Sequence, residues 1–197
     1  MIKINNLTKK YKNKLVVDNL NLEIKDGELF SLLGTNGAGK TTTIKMLSSL
    51  ILPTSGTAVI NTFDLVKNRN KIREIINISP QETAVAPNLT VLENLYFMAG
   101  IYQIKNKKKK IEELISLFKL EEVLKQKAKT LSGGYQRKLS IAISLINDPV
   151  ILFLDEPTLG LDVISRQDLW KVINSLKGKT TIILTTHYME EAEKLSD

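Results

Sequence analysis

Short apolar runs and helical apolar periodicity alternate along much of the chain. Leu29–Leu33 is an apolar run of strand length that leads into a glycine-rich turn. Ile44, Leu47 and Ile51 then recur at helical spacing, and the Pro-Thr-Ser-Gly segment at 53–56 is expected to stop that helix. The pattern predicts a strand, a turn and a helix in this order.

The same alternation returns in the last third of the chain. Residues 150–154 are continuously apolar, which is typical of a strand buried on both faces of a parallel sheet. An apolar helical face follows, with Gly178 as the predicted stop, and residues 180–186 predict a further strand. Strands that alternate with helices indicate an α/β fold with a mainly parallel sheet. The predicted helical face consists of Leu169, Val172, Ile173 and Leu176.

The middle of the chain lacks an obvious strand. Residues 90–93 indicate a capping box that opens a helix, and another helix is expected after Ser132. Between them lies an amphipathic stripe formed by Ile111, Leu114, Ile115 and Phe118. We therefore predict a helical subdomain at residues 82–136, inserted into an α/β core formed by residues 1–81 and 137–197.

Composition and charge change this picture little. The chain has 197 residues and no cysteine, which excludes disulfides and thiolate metal sites. No segment is long and apolar enough to cross a bilayer, so a role at a membrane would require another chain to span it. The net charge is +7, and much of the excess comes from a lysine run that we expect to be solvated surface rather than a nucleic-acid site. Contact of this run with anionic lipid or with a partner loop stays open. The run consists of Lys105, Lys107, Lys108, Lys109 and Lys110.

The loop between the first predicted strand and helix has the spacing G-x-x-x-x-G-K-T of a phosphate-binding loop. Its glycines let several backbone N–H groups point inward, and the following helix adds its partial positive end. Lys40 is placed to neutralise phosphate, and the Thr41 hydroxyl is placed to ligate Mg²⁺. The flanking strand and helix disfavour a chance glycine-rich turn. The candidate residues are Gly34, Thr35, Asn36, Gly37, Ala38, Gly39, Lys40, Thr41 and the adjoining Thr42.

Two carboxylates follow the apolar strand at 150–154. Asp155 and Glu156 stand at the carboxyl end of a strand, where ligands bind in open α/β sheets. Asp155 is placed to hold a metal ion, directly or through water, and Glu156 to polarise an attacking water as general base. A surface acidic turn is the plain alternative, which is disfavoured because the phosphate loop already requires a metal-binding carboxylate.

A second potential phosphate-binding helix end begins at Ser132, Gly133 and Gly134. Ser132 is predicted to cap a helix whose first turn is rich in glycine. Many loops contain this tripeptide, so the signal is weak by itself. Its position after a phosphate loop and before a buried strand that ends in two carboxylates makes it specific.

With these motifs in this order, the chain resembles an ATP-binding cassette (ABC) ATPase along essentially its whole length. Four single residues complete the family's order: Tyr11, Gln81, Asp162 and His187. The resemblance implies a P-loop NTPase core with a mainly parallel sheet, an N-terminal antiparallel β portion and an inserted helical subdomain. It also implies ATP and Mg²⁺ as the bound groups.

The resemblance assigns roles to the four single residues as well. Tyr11 would stack on adenine, and His187 would contact the γ-phosphate. Gln81 would sense Mg²⁺ and the γ-phosphate while linking to a membrane domain. The tripeptide at 132–134 would touch the nucleotide bound by a second copy, and Asp162 would lie at the seam of that head-to-tail dimer.

Finer resemblance points to one branch of the family. Residues 156–163 and 185–192 are similar to bacterial drug, lipid and polysaccharide exporters, in which ATPase and permease are separate chains. We therefore expect a cytoplasmic subunit on the inner face of the cell membrane that couples Mg-ATP-driven dimerisation and hydrolysis to export. Tyr135 departs from the family's glutamine. The chain ends at Asp197, where relatives continue, so a C-terminal truncation is expected.

Other classes fit the motifs less well. Cassette ATPases of translation usually carry two cassettes in one chain, and those of DNA repair insert long coiled coils. The alternative of an iron–sulfur assembly ATPase is left undecided, and a permease gene beside the gene of this chain would decide against it. A P-loop kinase or GTPase would not explain the helix start at 132–134 or His187. A non-enzymatic binding module is disfavoured because Lys40, Asp155 and Glu156 are all present.

Overall fold

Two four-stranded sheets and seven α-helices make up residues 1–197, all of which are described by a computed structural model. The strands are β1 (Ile2–Tyr11), β2 (Lys14–Ile24), β3 (Leu29–Leu33), β4 (Ser55–Ile60), β5 (Phe63–Asp64), β6 (Ile76–Ser79), β7 (Ile151–Asp155) and β8 (Thr181–Thr186). The helices are α1 (Lys40–Leu47), α2 (Arg69–Ile75), α3 (Val91–Ile101), α4 (Lys107–Phe118), α5 (Gly133–Ser144), α6 (Val163–Ser175) and α7 (Met189–Leu195).

The parallel sheet has the strand order β3-β8-β7-β6, and its three pairings are all parallel. All five residues of β7 are buried, which confirms the predicted strand with two covered faces. β3 and β8 also lie where the apolar runs predicted them. Because the strands are parallel, their carboxyl ends meet at one edge, and this edge carries the phosphate loop after β3 and the two carboxylates after β7.

The second sheet is antiparallel and has the order β2-β1-β4-β5. Its inner face packs with α1 and with one face of the parallel sheet around 16 buried apolar residues, among them Ile2, Met46 and Phe153. A second cluster of 27 buried residues joins the helices to the other face of the parallel sheet. These layers confirm the predicted α/β class with an N-terminal antiparallel portion.

Helix α1 is shorter than predicted. It ends at Leu47, so Ile51 lies outside the helix and the expected stop at 53–56 is wrong. Ser49 adopts a left-handed conformation with φ of +58°, which turns the chain away from the helix axis. Ile51 still packs, partly buried, against the 16-residue cluster, which explains its apolar character without helical geometry.

Residues 82–136 contain α3, α4, two short 3₁₀ helices and the first turn of α5, with no strand. The capping box is present, because the Thr90 hydroxyl accepts from the Glu93 N–H and the Glu93 carboxylate accepts from the Thr90 N–H. The boundary drawn at 136 falls inside α5, which runs continuously to Ser144. The division into core and inserted subdomain stays a prediction. No helix of the chain combines the length and the apolar character that crossing a membrane would require.

The lysine run is only partly solvated. The expectation of a solvated surface is wrong for its last member, since Lys110 is 9% exposed. Its ammonium pairs with the Asp148 carboxylate at 2.5 Å and lies 3.7 Å from that of Glu113. Lys110 precedes Leu114 by four positions, so it shares the buried face of α4 and reaches its acidic partners from there.

Candidate active site

A cavity of about 430 Å³ opens where the phosphate loop meets the start of α1. It lies at the carboxyl edge of the parallel sheet, beside the end of β7. Most of its walls are polar, and nine of the residues singled out from the sequence line it. The lining residues are Lys14, Val16, Asn36, Gly37, Ala38, Gly39, Lys40, Thr41, Thr42, Gln81 and Glu156.

Glycines give the phosphate loop its curvature. Gly37 and Gly39 have φ of +85° and +89°, a left-handed conformation that residues with a Cβ rarely adopt. A Cβ at Gly39 would also lie 2.6 Å from the carbonyl oxygen of Val16. The Gly39 carbonyl accepts from the Thr43 N–H at 2.8 Å and so begins α1. The first N–H groups of α1 have no acceptor within the helix, which makes this end suited to an anion.

The Lys40 side chain lies across the loop and is 9% exposed. Its ammonium donates to the carbonyls of Gly34 at 2.7 Å and Thr35 at 3.2 Å. It also lies 3.2 Å from Oε1 of Glu156. The Lys40 ammonium is therefore held by the loop and by a carboxylate from the end of β7.

Asp155 is buried and lies beside the phosphate loop. Its Oδ1 accepts from the hydroxyl of Thr41 at 3.1 Å and from that of Thr185. The pairing of Asp155 with Thr185 follows from the register between β7 and β8. A hydroxyl and a carboxylate at the edge of the cavity form the oxygen-only donor set that Mg²⁺ prefers, so these residues fit that ion.

Glu156 occupies the junction of all these groups. Its side chain is 7% exposed and its φ is +49°, a conformation that costs energy for a residue with a Cβ. The backbone N–H is held by the carbonyl of Thr185 at 3.2 Å and by its hydroxyl at 3.0 Å. Oε2 lies 2.7 Å from Nδ1 of His187, while Oε1 faces Lys40. The strained backbone thus aims one carboxylate at the phosphate-loop lysine and at a histidine.

The protein-family model described as ABC transporter matches residues 17–159, which is more than half of the chain. This chain belongs to the ABC transporter family. The match extends from β2, through the phosphate loop and the 132–134 segment, to just beyond Glu156.

Curated relatives cover the whole cassette. This chain is 41% identical to the human phospholipid-transporting ATPase ABCA3 over an alignment 202 residues long, which covers 100% of this chain and 12% of that protein. It is 40% identical to the probable multidrug ABC transporter ATP-binding protein YbhF of Escherichia coli, with 98% of this chain and 34% of the relative covered. For the Nod factor export ATP-binding protein I of Cupriavidus metallidurans the identity is 40%, with 99% and 65% covered. The cassette therefore spans less than two thirds of each of these relatives.

Solved structures confirm the fold. The dimeric post-hydrolysis state of the ATP-binding cassette MJ0796 bound to ADP and Pi matches with a TM-score of 0.86 at 30% identity. The match covers 98% of this chain and 91% of that one. The predicted P-loop NTPase core is the fold of this ABC cassette.

Tyr11 lies outside the cavity, at the end of β1, and is 46% exposed. The ammonium of Lys9 stands 5.0 Å from the centre of its ring. Lys14, three residues later, lines the cavity, as does Val16. Sequence reasoning did not single out these two residues. Lys14 belongs to the lysine-rich segment around Tyr11, and the role of Val16 lies in its backbone, which no sequence signal reveals.

Four further residues predicted from the sequence, at the starts of α5 and α6, lie together on the surface away from the cavity. Ser132 caps α5, and Asp162 caps α6 by accepting from the N–H groups of Ile164 and Ser165. A Cβ at Gly134 would lie 2.7 Å from the Ser165 hydroxyl, so the two helix starts abut. Hydrogen bonds from Ser165 lower the pKa of Asp162. None of Ser132, Gly133, Gly134 and Asp162 lines the cavity, so one copy of the chain does not bring them to its own phosphate loop.

A buried carboxylate fixes the helix that follows His187. Glu191 on α7 is 1% exposed, and its Oε1 accepts from the Thr158 hydroxyl at 2.8 Å and the Trp170 indole N–H at 2.9 Å. Thr158 follows the two carboxylates by a short turn. This contact ties α7 to the segment after β7 and holds His187 near Glu156.

Arg137 is the main residue of the site region that sequence reasoning missed. It is 4% exposed and donates only to carbonyls. Its acceptors are Pro157 and Asp155, each at 2.8 Å, Pro80 at 2.5 Å and Gln81 at 3.4 Å. Burial lowers the pKa of Arg137 to about 10, so the guanidinium stays charged near neutral pH. Arg137 therefore joins α5 to the segment of Gln81 and to that of Asp155.

Replacing Arg137 by leucine is expected to destabilise the cassette strongly. The change leaves buried carbonyls without a donor, which costs about 1–3 kcal/mol for each such group. Urea unfolding should give a loss of at least about 2 kcal/mol, whereas Lys138→Leu on the same helix should stay within about 0.5 kcal/mol of wild type. Equal unfolding midpoints for the two variants would contradict this account of Arg137.

Proposed function

We propose that this chain is the ATP-binding and ATP-hydrolysing subunit of an ABC transporter that works with a separately encoded membrane permease in export. The observation that carries the proposal is the position of the Glu156 carboxylate between Lys40 and His187, beside the Thr41–Asp155 pair. Relatives named as multidrug and Nod factor export ATP-binding proteins support the export direction.

Lys40 and the loop bind the phosphates in this account. Without nucleotide, the Lys40 ammonium contacts the Gly34 carbonyl and the Glu156 carboxylate. When ATP binds, the ammonium leaves these partners and pairs with the more highly charged oxygens of the β- and γ-phosphates. This exchange releases Oε1 of Glu156 from its ion pair. Phosphate binding therefore makes the carboxylate free to accept a proton.

Thr41, Asp155 and Gln81 are the residues that would hold Mg²⁺. When bound, the ion neutralises the charge on the phosphate oxygens. Glu156 takes a proton from the water that attacks the γ-phosphate, and His187 orients the carboxylate through its hydrogen bond at 2.7 Å.

A second copy of the chain completes each site in this proposal. Ser132, Gly133 and Asp162 are exposed and lie at the starts of α5 and α6. These helix starts do not reach the cavity of the same copy. A head-to-tail pair places the start of α5 on the nucleotide of the other copy, and the phosphate charge supplies the attraction. The dimeric form of the solved cassette MJ0796 supports this arrangement.

Phosphate release from ATP by the purified chain tests the proposed activity, and co-purification tests the transport role. The chain, expressed with membrane proteins encoded beside its gene, should retain a multi-span protein in detergent extracts and should localise to the inner face of the membrane. Hydrolysis that depends on Mg²⁺ and stops with EDTA is the expected result. An active chain recovered on ribosomes, on DNA or with iron–sulfur assembly proteins, and never with a membrane protein, would favour the non-transport alternative.

Tyr11 is proposed to stack on the adenine base without reading its edge. Tyr11→Phe keeps the ring and should bind ATP almost as wild type, while Tyr11→Ala should weaken binding by about 1–3 kcal/mol. Equilibrium titration with a fluorescent ATP analogue measures both. Tyr96→Ala, which removes a tyrosine of similar exposure on α3, is the matched control. Equal affinities for Tyr11→Ala and Tyr96→Ala would exclude Tyr11 from the site.

A further inference from the structure

The buried carboxylate of Glu191 has no part in the proposed chemistry. Glu191 lies in the first turn of α7 and is 1% exposed. Its Oε1 accepts from the Thr158 hydroxyl and from the Trp170 indole N–H, whereas its Oε2 is buried without a partner. Withdrawing a carboxylate from water on these terms is costly. Packing therefore does not account for this residue, and the segments that it joins indicate a role in hydrolysis.

Glu191 closes a ring of contacts around the proposed catalytic pair. Thr158 follows Glu156 by two residues, and Glu191 follows His187 by four. The two segments meet twice. Oε2 of Glu156 lies 2.7 Å from Nδ1 of His187, and Oε1 of Glu191 lies 2.8 Å from the hydroxyl oxygen of Thr158. Because both segments are short, lengthening one of these contacts also lengthens the other.

The segment that carries Glu156 is also held from its other side. Arg137 donates to the carbonyls of Asp155 and Pro157, which flank Glu156, both at 2.8 Å. Burial lowers the pKa of Arg137 to about 10, and the negative charges of Asp155 and Glu191 oppose this lowering. A buried cation therefore fixes the backbone on either side of Glu156. Glu191 supports that cation and also binds the hydroxyl further along the segment.

We propose that Glu191 is a positioning residue for ATP hydrolysis. It does not line the cavity, so it does not act on the nucleotide itself. It acts through the ring, by keeping the imidazole of His187 at hydrogen-bond distance from the Glu156 carboxylate. A misplacement of about 1 Å is enough to slow a reaction about 10²-fold. The role depends on the proposed function, in which Glu156 is the general base.

Thr158→Val tests the ring with the least disturbance, because valine keeps the shape of threonine without its hydroxyl. The kcat of ATP hydrolysis should fall about 10–10²-fold while KM for ATP stays within about threefold, since Lys40 and the phosphate loop are unchanged. Thr158→Ser keeps the hydroxyl and should stay within about threefold of the wild-type kcat. Glu191→Leu removes the acceptor and should lower kcat at least as much as Thr158→Val. Combining these two changes should slow the reaction no further than Glu191→Leu alone, because both break the same contact.

The background of Glu156→Gln separates positioning from a general structural defect. In that background Thr158→Val should lower the remaining single-turnover rate by less than about twofold, because no base is left to position. The matched control is Ser144→Ala, which removes another buried hydroxyl, one that donates to the Ile141 carbonyl at 2.7 Å. The control should keep the rate of each background.

His187 offers a measurement that needs no activity, since it is the only histidine of the chain. Its Nδ1 faces a carboxylate, which only accepts, so Nδ1 carries the proton. In nitrogen NMR the Nδ1 resonance should be that of a protonated nitrogen in the wild type and in Thr158→Ser. In Thr158→Val it should move toward that of an unprotonated nitrogen. This measurement tests the ring even in a chain that fails to hydrolyse ATP, so a failure of the ring is distinguishable from a failure of the proposed function.

The positioning role would be overturned by a Thr158→Val protein that keeps both the wild-type kcat and the wild-type Nδ1 resonance. Equal losses of kcat in Thr158→Val and Thr158→Ser would also overturn it, because the hydroxyl would then be irrelevant. Equal losses with and without Glu156→Gln would attribute the effect to a packing defect. A loss of ATP affinity in place of kcat would assign Thr158 to nucleotide binding and likewise contradict the role.

Discussion

Lys40→Ala is expected to weaken ATP binding by about 2–5 kcal/mol, the range for removing one partner of a buried, hydrogen-bonded charge pair. The ammonium is 9% exposed and is the cation that the phosphate loop holds at the centre of the cavity. Without it, the phosphates meet the Glu156 carboxylate with no compensating charge. Hydrolysis should fall below detection at ATP concentrations that saturate the wild type.

The control for this experiment is Lys45→Ala. Lys45 lies on the same helix, one turn beyond the loop, and is exposed. Both variants should stay folded by circular dichroism at the assay temperature, although Lys40→Ala leaves the Glu156 carboxylate without its ion pair and should unfold at a lower urea concentration. Only Lys40→Ala should lose affinity in a fluorescent-nucleotide titration. A Lys40→Ala protein that turns over ATP at the wild-type rate would contradict the assignment of the loop.

Glu156→Gln is expected to lower the rate of hydrolysis by about 10²–10⁴-fold, the usual contribution of a general base. The amide keeps the size of the carboxylate but does not accept a proton from water. Affinity for ATP should be kept or raised, because Lys40 no longer has the ion pair with Oε1 that the phosphates must displace. Phosphate-release assays and nucleotide titrations measure the two effects separately.

Glu190→Gln serves as the matched control for this change. Glu190 lies at the start of α7, is exposed and pairs only with Lys194. It should hydrolyse ATP like wild type. Wild-type turnover by Glu156→Gln would remove Glu156 from the role of base.

The parts of the fold that the sequence predicts are those set by local patterns. The apolar runs of β3 and β7, the capping box of α3 and the spacing of the phosphate loop each depend on a few neighbouring residues, and the structure places all of them as predicted. The meeting of loop and carboxylates follows from one further rule, that parallel strands end at a common edge.

What the sequence does not reveal depends on contacts between distant segments. Arg137 looks like a surface residue of a polar helix start, yet it reaches carbonyls 18 to 57 residues away. Lys110 sits in a run of exposed lysines, yet it lies on the buried face of α4 and its ammonium pairs with Asp148, 38 residues away. The early end of α1 reflects the left-handed backbone at Ser49, for which the sequence offers no proline or glycine as a warning.

The central claim is that two copies of this chain share two ATP sites, and Glu156→Gln tests it most directly. Blocked hydrolysis removes the step that separates the pair, so light scattering should give twice the monomer mass with Mg²⁺-ATP and the monomer mass with Mg²⁺-ADP. Circular dichroism and nucleotide titration should first establish that the variant folds and binds ATP. A folded, ATP-bound Glu156→Gln protein that stays monomeric at high concentration would contradict the shared-site account.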